Sequence, residues 1–257
     1  MAPEMADGVS ASTDTPQATG TGQNSRILVG TSGFAYGEWR GIFYPAGLPA
    51  KKFLSYYAGH FRTTEVNNTF YRLPTPKLTE SWYAEVPEDF RFTLKLARQI
   101  THFKKLKDVS EPMDWFLSSA ASLKEKLGPI LVQLPPYFRK DLSLLREFLI
   151  QFASRARLAF EFRHSSWFEE DVYQLLREYN TALGVVEGEE TDAAEAARIA
   201  TGSFIYMRLR KGDYSEPELL DWARWIREQT VPVYCYLKHD ERAPVLATQL
   251  LEALDRV

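Results

Sequence analysis

The sequence predicts a single-domain α/β protein, a parallel (β/α)8 TIM-type barrel over residues 26–257, on three observations. Apolar strand-like runs alternate with helix-like segments along the chain, which is typical of parallel sheets with right-handed crossovers. Eight such repeats can be counted, and eight repeats close a barrel. No glycine-rich phosphate-binding motif follows the first strand, which disfavours a doubly wound open sheet.

Each predicted element rests on hydrophobic period and on turn residues. The predicted strands are 27–31, 63–67, 91–95, 130–134, 158–163, 183–187, 204–208 and 231–238. The predicted helices are 52–60, 77–86, 112–127, 143–153, 169–179, 193–200, 217–229 and 243–254. A long polar segment, 101–111, precedes the third of these helices. We expect Gly128-Pro129 to break the chain before the fourth strand and Pro135-Pro136 to end that strand.

The composition of residues 1–25 predicts a disordered N-terminal tail. This stretch is rich in Ala, Ser, Thr, Gly, Pro and Gln and has almost no large apolar side chains. Such a segment cannot bury enough surface to offset the entropy of ordering. It also lacks the basic start and apolar core of a secretory signal.

Composition narrows the classes of partner. The chain has 31 Lys and Arg against 34 Asp and Glu, a net charge of −3, which disfavours broad binding to nucleic acid or to an anionic membrane but allows a local basic pocket. No apolar run is long enough for a spanning helix, so no membrane partner is expected. Cys235 is the only cysteine, which excludes disulfides within the chain and fits a cytoplasmic location. The oligomeric state does not follow from the sequence.

Ionisable and amide residues end several of the predicted strands and share one face by period-two alternation. They are Glu65, Lys95, Gln133, Glu161, Arg163, Arg208 and Lys238. Burying so many charges is costly, and a barrel would bring them together at the mouth where such folds place their chemistry. The sequence therefore predicts a site more clearly than a reaction.

Several motifs in combination carry a family resemblance. They are GTSGFAY at residues 30–36, EVNNTFY at 65–71, GPILVQLPP at 128–136, EFRHSSW at 161–167 and YMRL at 206–209. Together they resemble the YecE-like family, catalogued as domain of unknown function 72, over residues 27–254. The resemblance implies a (β/α)8-type barrel and supplies no reaction.

The balance of charge in the predicted mouth indicates an anionic ligand. Four cations, Lys95, Arg163, Arg208 and Lys238, face Glu65 and Glu161, with Glu187 as a third candidate carboxylate. Arginine forks match phosphate and carboxylate groups, so a phosphorylated or nucleotide-like small molecule is the natural ligand. The competing interpretation is a salt-linked polar layer that only closes the barrel.

The hypothesis assigns roles within this set. Glu65 and Glu161 are the candidate catalytic acid and base of a metal-independent hydrolase or isomerase, with burial raising the pKa of one carboxyl and Arg163 lowering that of the other. Arg163, Arg208 and Lys95 would hold the anion. The full substrate-binding set is Tyr36, Trp39, Asn67, Lys95, His102, Gln133, Arg163, Trp167, Arg208 and Lys238. For Trp39 and Trp167, core packing is the competing interpretation.

No cofactor or metal is predicted. The sequence has no HExxH motif or close histidine pair, and the nearby cations would repel a divalent ion. Two further functions stay open. One is a nucleic-acid binding or processing module that admits a strand end or a flipped base. The other is a non-catalytic sensor or interaction protein that has kept the barrel.

Overall fold

Eight parallel strands, hydrogen-bonded in chain order, close a barrel, which confirms the predicted fold. The computed structural model describes residues 26–187, 198–238 and 240–257. The strands are β1 (Ile27–Ser32), β2 (Thr63–Val66), β3 (Arg91–Lys95), β4 (Leu127–Gln133), β5 (Leu158–Glu161), β6 (Ala182–Glu187), β7 (Ile205–Leu209) and β8 (Val233–Leu237). Every neighbouring pair is parallel, so all carboxyl ends meet at one mouth.

The described helices lie around the barrel and at its mouth, and three of them begin at capping signals visible in the sequence. They are α1 (Phe53–Ala58), α2 (Asn68–Tyr71), α3 (Pro76–Glu85), α4 (Ser110–Ala121), α5 (Leu142–Phe152), α6 (Glu170–Glu178), α7 (Glu216–Glu228) and α8 (Ala243–Asp255). Helix α3 follows a capping Thr75, and α5 follows a capping Asp141. Helix α7 starts at a capping box between Ser215 and Glu218.

The region between α4 and β4 differs from the prediction. Helix α4 ends at Ala121 instead of residue 127, and Lys124 has a left-handed backbone with φ of 50° that takes the chain off the helical path. Gly128 and Pro129 lie inside β4 instead of preceding it. The β3–β4 register shifts between Phe92 and Leu94, and such an irregularity tolerates a proline without an N–H.

Two predicted segments fall wholly or partly outside the described residues. The predicted tail, residues 1–25, is one of them. Of the predicted helix 193–200, residues 198–200 form no regular element, and the remainder lies outside the described residues. Among the described residues, no helix combines the length and the apolar composition that a membrane span requires.

Because side chains along a strand point alternately to its two faces, the barrel has two buried regions: one between the sheet and the helices, and one inside the barrel. Outward residues such as Leu94, Phe160 and Cys235 pack between the sheet and the helices. A second cluster fills the lower barrel: Leu28, Leu131, Ala159, Ala182, Phe204, Tyr206, Tyr234 and Tyr236. One or two steps of two residues further along the same strands lie Ser32, Gln133, Glu161, Arg208 and Lys238, so the polar residues sit above this apolar layer at the mouth.

Candidate functional site

Arg208 is the centre of a buried ion cluster at the barrel mouth. Its guanidinium donates to Glu161 Oε2 at 2.5 Å and to Glu65 Oε1 at 2.9 Å, which joins strands β7, β5 and β2 across the barrel. The Arg208 side chain is 5% exposed and both carboxylates are fully buried. One guanidinium fork therefore holds the two predicted catalytic glutamates.

Hydrogen bonds from strands β1 and β7 fix the Glu65 carboxylate. Parallel register places Ser32 of β1 beside Glu65, and the Ser32 hydroxyl donates to Oε1. From below, the Tyr206 hydroxyl donates to Oε2. Asn67 reaches the same group indirectly, because its Nδ2 donates to Ser32 Oγ at 2.9 Å. Asn67 Oδ1 is buried and has no protein partner among the described residues.

Three side chains converge on one oxygen of Glu161. The β4–β5 register pairs Gln133 with Glu161, and Gln133 Nε2 donates to Oε1 at 2.7 Å. Arg163 Nε donates to the same oxygen at 3.1 Å, and Arg210 Nη1 lies 3.8 Å from it. Arg163 and Arg210 each follow an inward strand residue by two positions, so both reach back over the mouth.

Both catalytic candidates are held as carboxylates. Burial is the largest influence and would raise both pKa values, but Arg208 together with the other cations and hydrogen-bond donors around each carboxylate lowers them below the ordinary value. Hydrogen bonds from Ser32 and Tyr206 further lower the pKa of Glu65, while Arg163 and Arg210 lower that of Glu161. The expected pair, with one pKa raised and one lowered, is therefore absent. At neutral pH both groups can accept a proton but neither has one to donate.

Lys95 lies at the mouth beside an aromatic ring that the EVNNTFY segment places there. The Thr69 hydroxyl donates to the Lys95 carbonyl at 2.7 Å, which fixes α2 against the end of β3. Phe70 then lies with its ring centroid 4.2 Å from Lys95 Nζ. The same ring meets the imidazole of His102 edge to face at 4.9 Å. His102 itself sits in a π-helical turn, Gln99–Phe103.

Positive charge dominates this side of the mouth. Burial, followed by the nearby Arg208, lowers the pKa of Lys95 to about 8, although Glu65 and Glu161 act in the opposite sense. Burial, followed by Lys95 and Arg163, lowers the pKa of His102 to about 4. The His102 imidazole is therefore neutral at physiological pH.

The other predicted site residues have different surroundings. Trp39 and Trp167 are buried, and their indole N–H groups donate to the carbonyls of Asp240 and Phe138, so they anchor loops around the mouth. Tyr36 donates to the Ser32 carbonyl at 3.0 Å, and burial raises its pKa to about 12. Lys238 lies at the end of β8 and makes no side-chain hydrogen bond or ion pair with the described residues.

Glu187 is not part of the cluster, which corrects its candidacy as a third carboxylate. It has the outward parity of β6, since Ala182 of that strand points into the barrel. Its carboxylate accepts from Trp222 of α7 at 3.1 Å and pairs with Lys211 at 2.8 Å. It therefore ties β6 to the helical layer.

Four site residues had no predicted role: Ser32, Phe70, Tyr206 and Arg210. Ser32 and Tyr206 share the inward parity of Glu65 and Arg208, so alternation was a sufficient signal for both. Arg210 follows Arg208 by two positions, as Arg163 follows Glu161. Phe70 lies in α2, after the end of β2, so the alternation of side chains along a strand could not predict its contact with Lys95. Among the described residues, no group of three or more His, Cys, Asp or Glu is placed to hold a metal ion.

Fold and site define a parallel (β/α)8 barrel with a charged cluster at the carboxyl ends of its strands. The model of the family described as protein of unknown function DUF72 matches residues 28–257, so the chain belongs to that family. It is 32% identical over 116 residues to the UPF0759 protein YecE of Escherichia coli K12. That match covers 45% of this chain and 43% of the Escherichia coli protein, less than half of either.

Solved structures of other family members share the fold. A DUF72 family protein from Thermotoga maritima superposes with a TM-score of 0.76 at 29% identity, covering 89% of this chain and 99% of that one. One from Enterococcus faecalis gives a TM-score of 0.73 at 20% identity, with coverages of 89% and 95%. The names of these relatives state no activity.

Proposed function

We propose that the barrel mouth binds a small anionic molecule, a phosphorylated compound above all, through Lys95, Arg163 and Arg208. The observation that carries this is a surplus of positive charge. Four cations lie at the strand ends of the described mouth, Lys95, Arg163, Arg208 and Lys238, against the two carboxylates Glu65 and Glu161. A layer that served only to close the barrel would gain nothing from unbalanced charge.

The carboxylates are already occupied by protein groups. The Arg208 guanidinium donates to both glutamates. One oxygen of Glu161, Oε1, also contacts Gln133, Arg163 and Arg210. Arg163 is 24% exposed at its side chain, so part of its guanidinium faces the mouth. An anion that enters there would meet donors with few competing acceptors.

The lowered pKa values of Lys95 and His102 support the same proposal. Nearby cations contribute to both, so the mouth has a positive potential. A bound phosphate would reduce that potential and return both pKa values toward their ordinary range. The carboxylates, in contrast, are so strongly paired that the geometry favours ligand binding over hydrolysis driven by a glutamic acid proton donor.

Thermal unfolding in the presence of phosphate probes tests the proposal. Inorganic phosphate and ribose 5-phosphate should raise the melting temperature at constant ionic strength, whereas ribose and chloride should not. A ligand at one hundred times its Kd adds about 2.7 kcal/mol to the free energy of unfolding. R163Q should reduce the shift. The matched control R146Q removes an exposed arginine paired with Glu178 on the outer surface and should leave the shift intact. Equal shifts in phosphate and chloride would overturn the proposal.

A second candidate, binding of single-stranded nucleic acid, rests on the rim of the mouth. Three exposed aromatic side chains, Tyr71, Phe103 and Tyr137, follow β2, β3 and β4. Arg98 lies over Tyr71 and Phe103 at 5.5 and 5.4 Å, and Lys105 lies over Tyr137 at 5.2 Å. Exposed rings interleaved with cations suit base stacking beside phosphates.

Fluorescence anisotropy with a labelled oligothymidylate tests this candidate. Binding that weakens steeply between 50 and 200 mM salt supports it, because phosphate contacts release counterions. Y71A should weaken binding, whereas W115A, which removes an exposed ring from α4, should not. Absence of binding at low salt would leave the small anion as the ligand of the mouth.

A further inference from the structure

The amine of Lys95 has no hydrogen-bonding or ion-pairing partner among the described residues, although it lies close to the charges of the buried ion cluster. Arg208, Arg163, Glu65 and Glu161 hydrogen-bond to one another. Lys95 Nζ makes no hydrogen bond or ion pair within the described ranges, and it lies 4.2 Å from the centroid of the Phe70 ring. The Phe70 ring contacts the amine through a cation–π interaction and offers it no oxygen or nitrogen atom as a hydrogen-bond acceptor.

Lys126 shows what a structural lysine looks like in this chain. It is buried to 5% exposure, and its Nζ donates to the carbonyls of Tyr83 at 2.8 Å and Val86 at 2.7 Å. Those bonds compensate the buried charge. Lys95 has no such bonds, although it too is largely withdrawn from solvent. Its amine is therefore available to a ligand.

We propose that Lys95 is a nucleophile that condenses with the carbonyl group of an anionic aldehyde or ketone bound in the mouth. This inference rests on the anion site proposed above and adds the second functional group of the ligand. Arg163 would hold the anionic end, and Lys95 Nζ would meet the carbonyl carbon.

The step conserves atoms and charge. The Lys95 ammonium releases one proton, and the Nζ lone pair forms a bond to the carbonyl carbon while the C=O π electrons move to oxygen. One further proton from nitrogen, and one from solvent that replaces the proton first released, reach that oxygen, which leaves as water, and the remaining lone pair on nitrogen completes a C=N bond. Ammonium and carbonyl thus give a protonated imine and water.

The electrostatics of the mouth favour this chemistry. A lysine must lose its proton to attack, and the pKa of Lys95 is lowered to about 8, by burial first and by Arg208 second. Near pH 8, the neutral fraction of such an amine exceeds that of an ordinary lysine by on the order of a hundredfold. Selective reaction at Lys95 is the consequence.

Reductive trapping on the intact protein tests the inference. Glycolaldehyde phosphate with cyanoborohydride at pH 7.5, followed by peptide mass mapping, should modify Lys95 at least about tenfold faster than the exposed Lys107. Neutral glycolaldehyde should show a smaller preference. The rate at Lys95 should rise through pH 8. K95R, which has no amine that can form an imine, should lose the labelling.

The outcomes separate the two proposals. Labelling spread evenly over the lysines, with an intact phosphate shift, overturns the role of Lys95 and leaves the anion site standing. Preferential labelling of Lys95 by both aldehydes equally, without a phosphate shift, supports the nucleophile and overturns the anion site. Since the labelling pattern is measured on the unaltered chain, a K95R variant that failed to fold would leave the test decisive.

Discussion

In the lower half of the barrel, aromatic and aliphatic side chains fill the interior, whereas ion pairs fill the upper half. The lower half contains Leu28, Tyr234 and Tyr236. The Tyr236 hydroxyl bonds to Thr63 and Thr93, and the Tyr234 hydroxyl accepts from Arg157. The upper half contains Arg208 with two buried glutamates. The same strands supply both layers, and only the lower one is the packing that a stable barrel needs. Burying the ion pairs of the upper layer costs desolvation free energy, so this layer is not explained by a contribution to stability alone.

The largest expected effect is the loss of the central cation. R208Q leaves Glu65 and Glu161 buried without their shared partner, and we expect a loss of about 3–5 kcal/mol in the free energy of unfolding. Urea titration at pH 7 measures this. The loss should diminish below about pH 4.3, where the free glutamates protonate. This follows because a lowered native pKa stabilises the fold above the unfolded pKa and the benefit disappears in acid.

The control for this variant is R146Q, which breaks an exposed pair with Glu178 and should leave the unfolding curve near that of the unaltered chain. Similar curves for R208Q and R146Q would show that the upper layer does not depend on its central arginine.

The sequence predicted the barrel because its signals repeat eight times, so local errors do not change the topology. The errors concern element boundaries, which depend on single residues. The predicted end of the helix before β4 is wrong because the chain leaves the helical path near Lys124, which has a left-handed backbone. Alternation also predicted that Glu65, Glu161 and Arg208 would meet. It could not predict their pairing, because the side chains reach across the barrel between strands that are not neighbours. Whether burial or Arg208 decides the pKa of a carboxyl depends on such distances.

Removing Lys95 should stabilise the protein. K95M eliminates a cation held near other cations, and we expect a gain of about 1–3 kcal/mol in the free energy of unfolding at pH 7. Below about pH 8 the lysine is charged in both states, so its full cost applies. As the pH rises from 8 to 10.5, the native state loses its proton first and the gap closes. Urea titrations at pH 7 and pH 10 measure the difference.

The matched control for Lys95 is K77M, an exposed position on α3, which should show no such pH-dependent gain. K95M should also reduce the melting shift in phosphate. A variant that is less stable than the unaltered chain at pH 7 would instead assign Lys95 to the structural layer, beside Arg208.

The smallest expected effect belongs to the lower half. Tyr236 Oη shares hydrogen bonds with Thr63 Oγ1 at 2.8 Å and Thr93 Oγ1 at 2.7 Å, and Y236F should cost about 1 kcal/mol in urea titration because Thr63 keeps its bond to the Arg91 carbonyl. Y206F, one layer closer to the mouth, loses a bond to the charged Glu65 and should cost roughly twice as much. The phosphate shift should survive Y236F, since no mouth cation depends on that hydroxyl. If Y236F abolished the shift, the two halves would be coupled and the upper layer could not be treated as a separate ligand site.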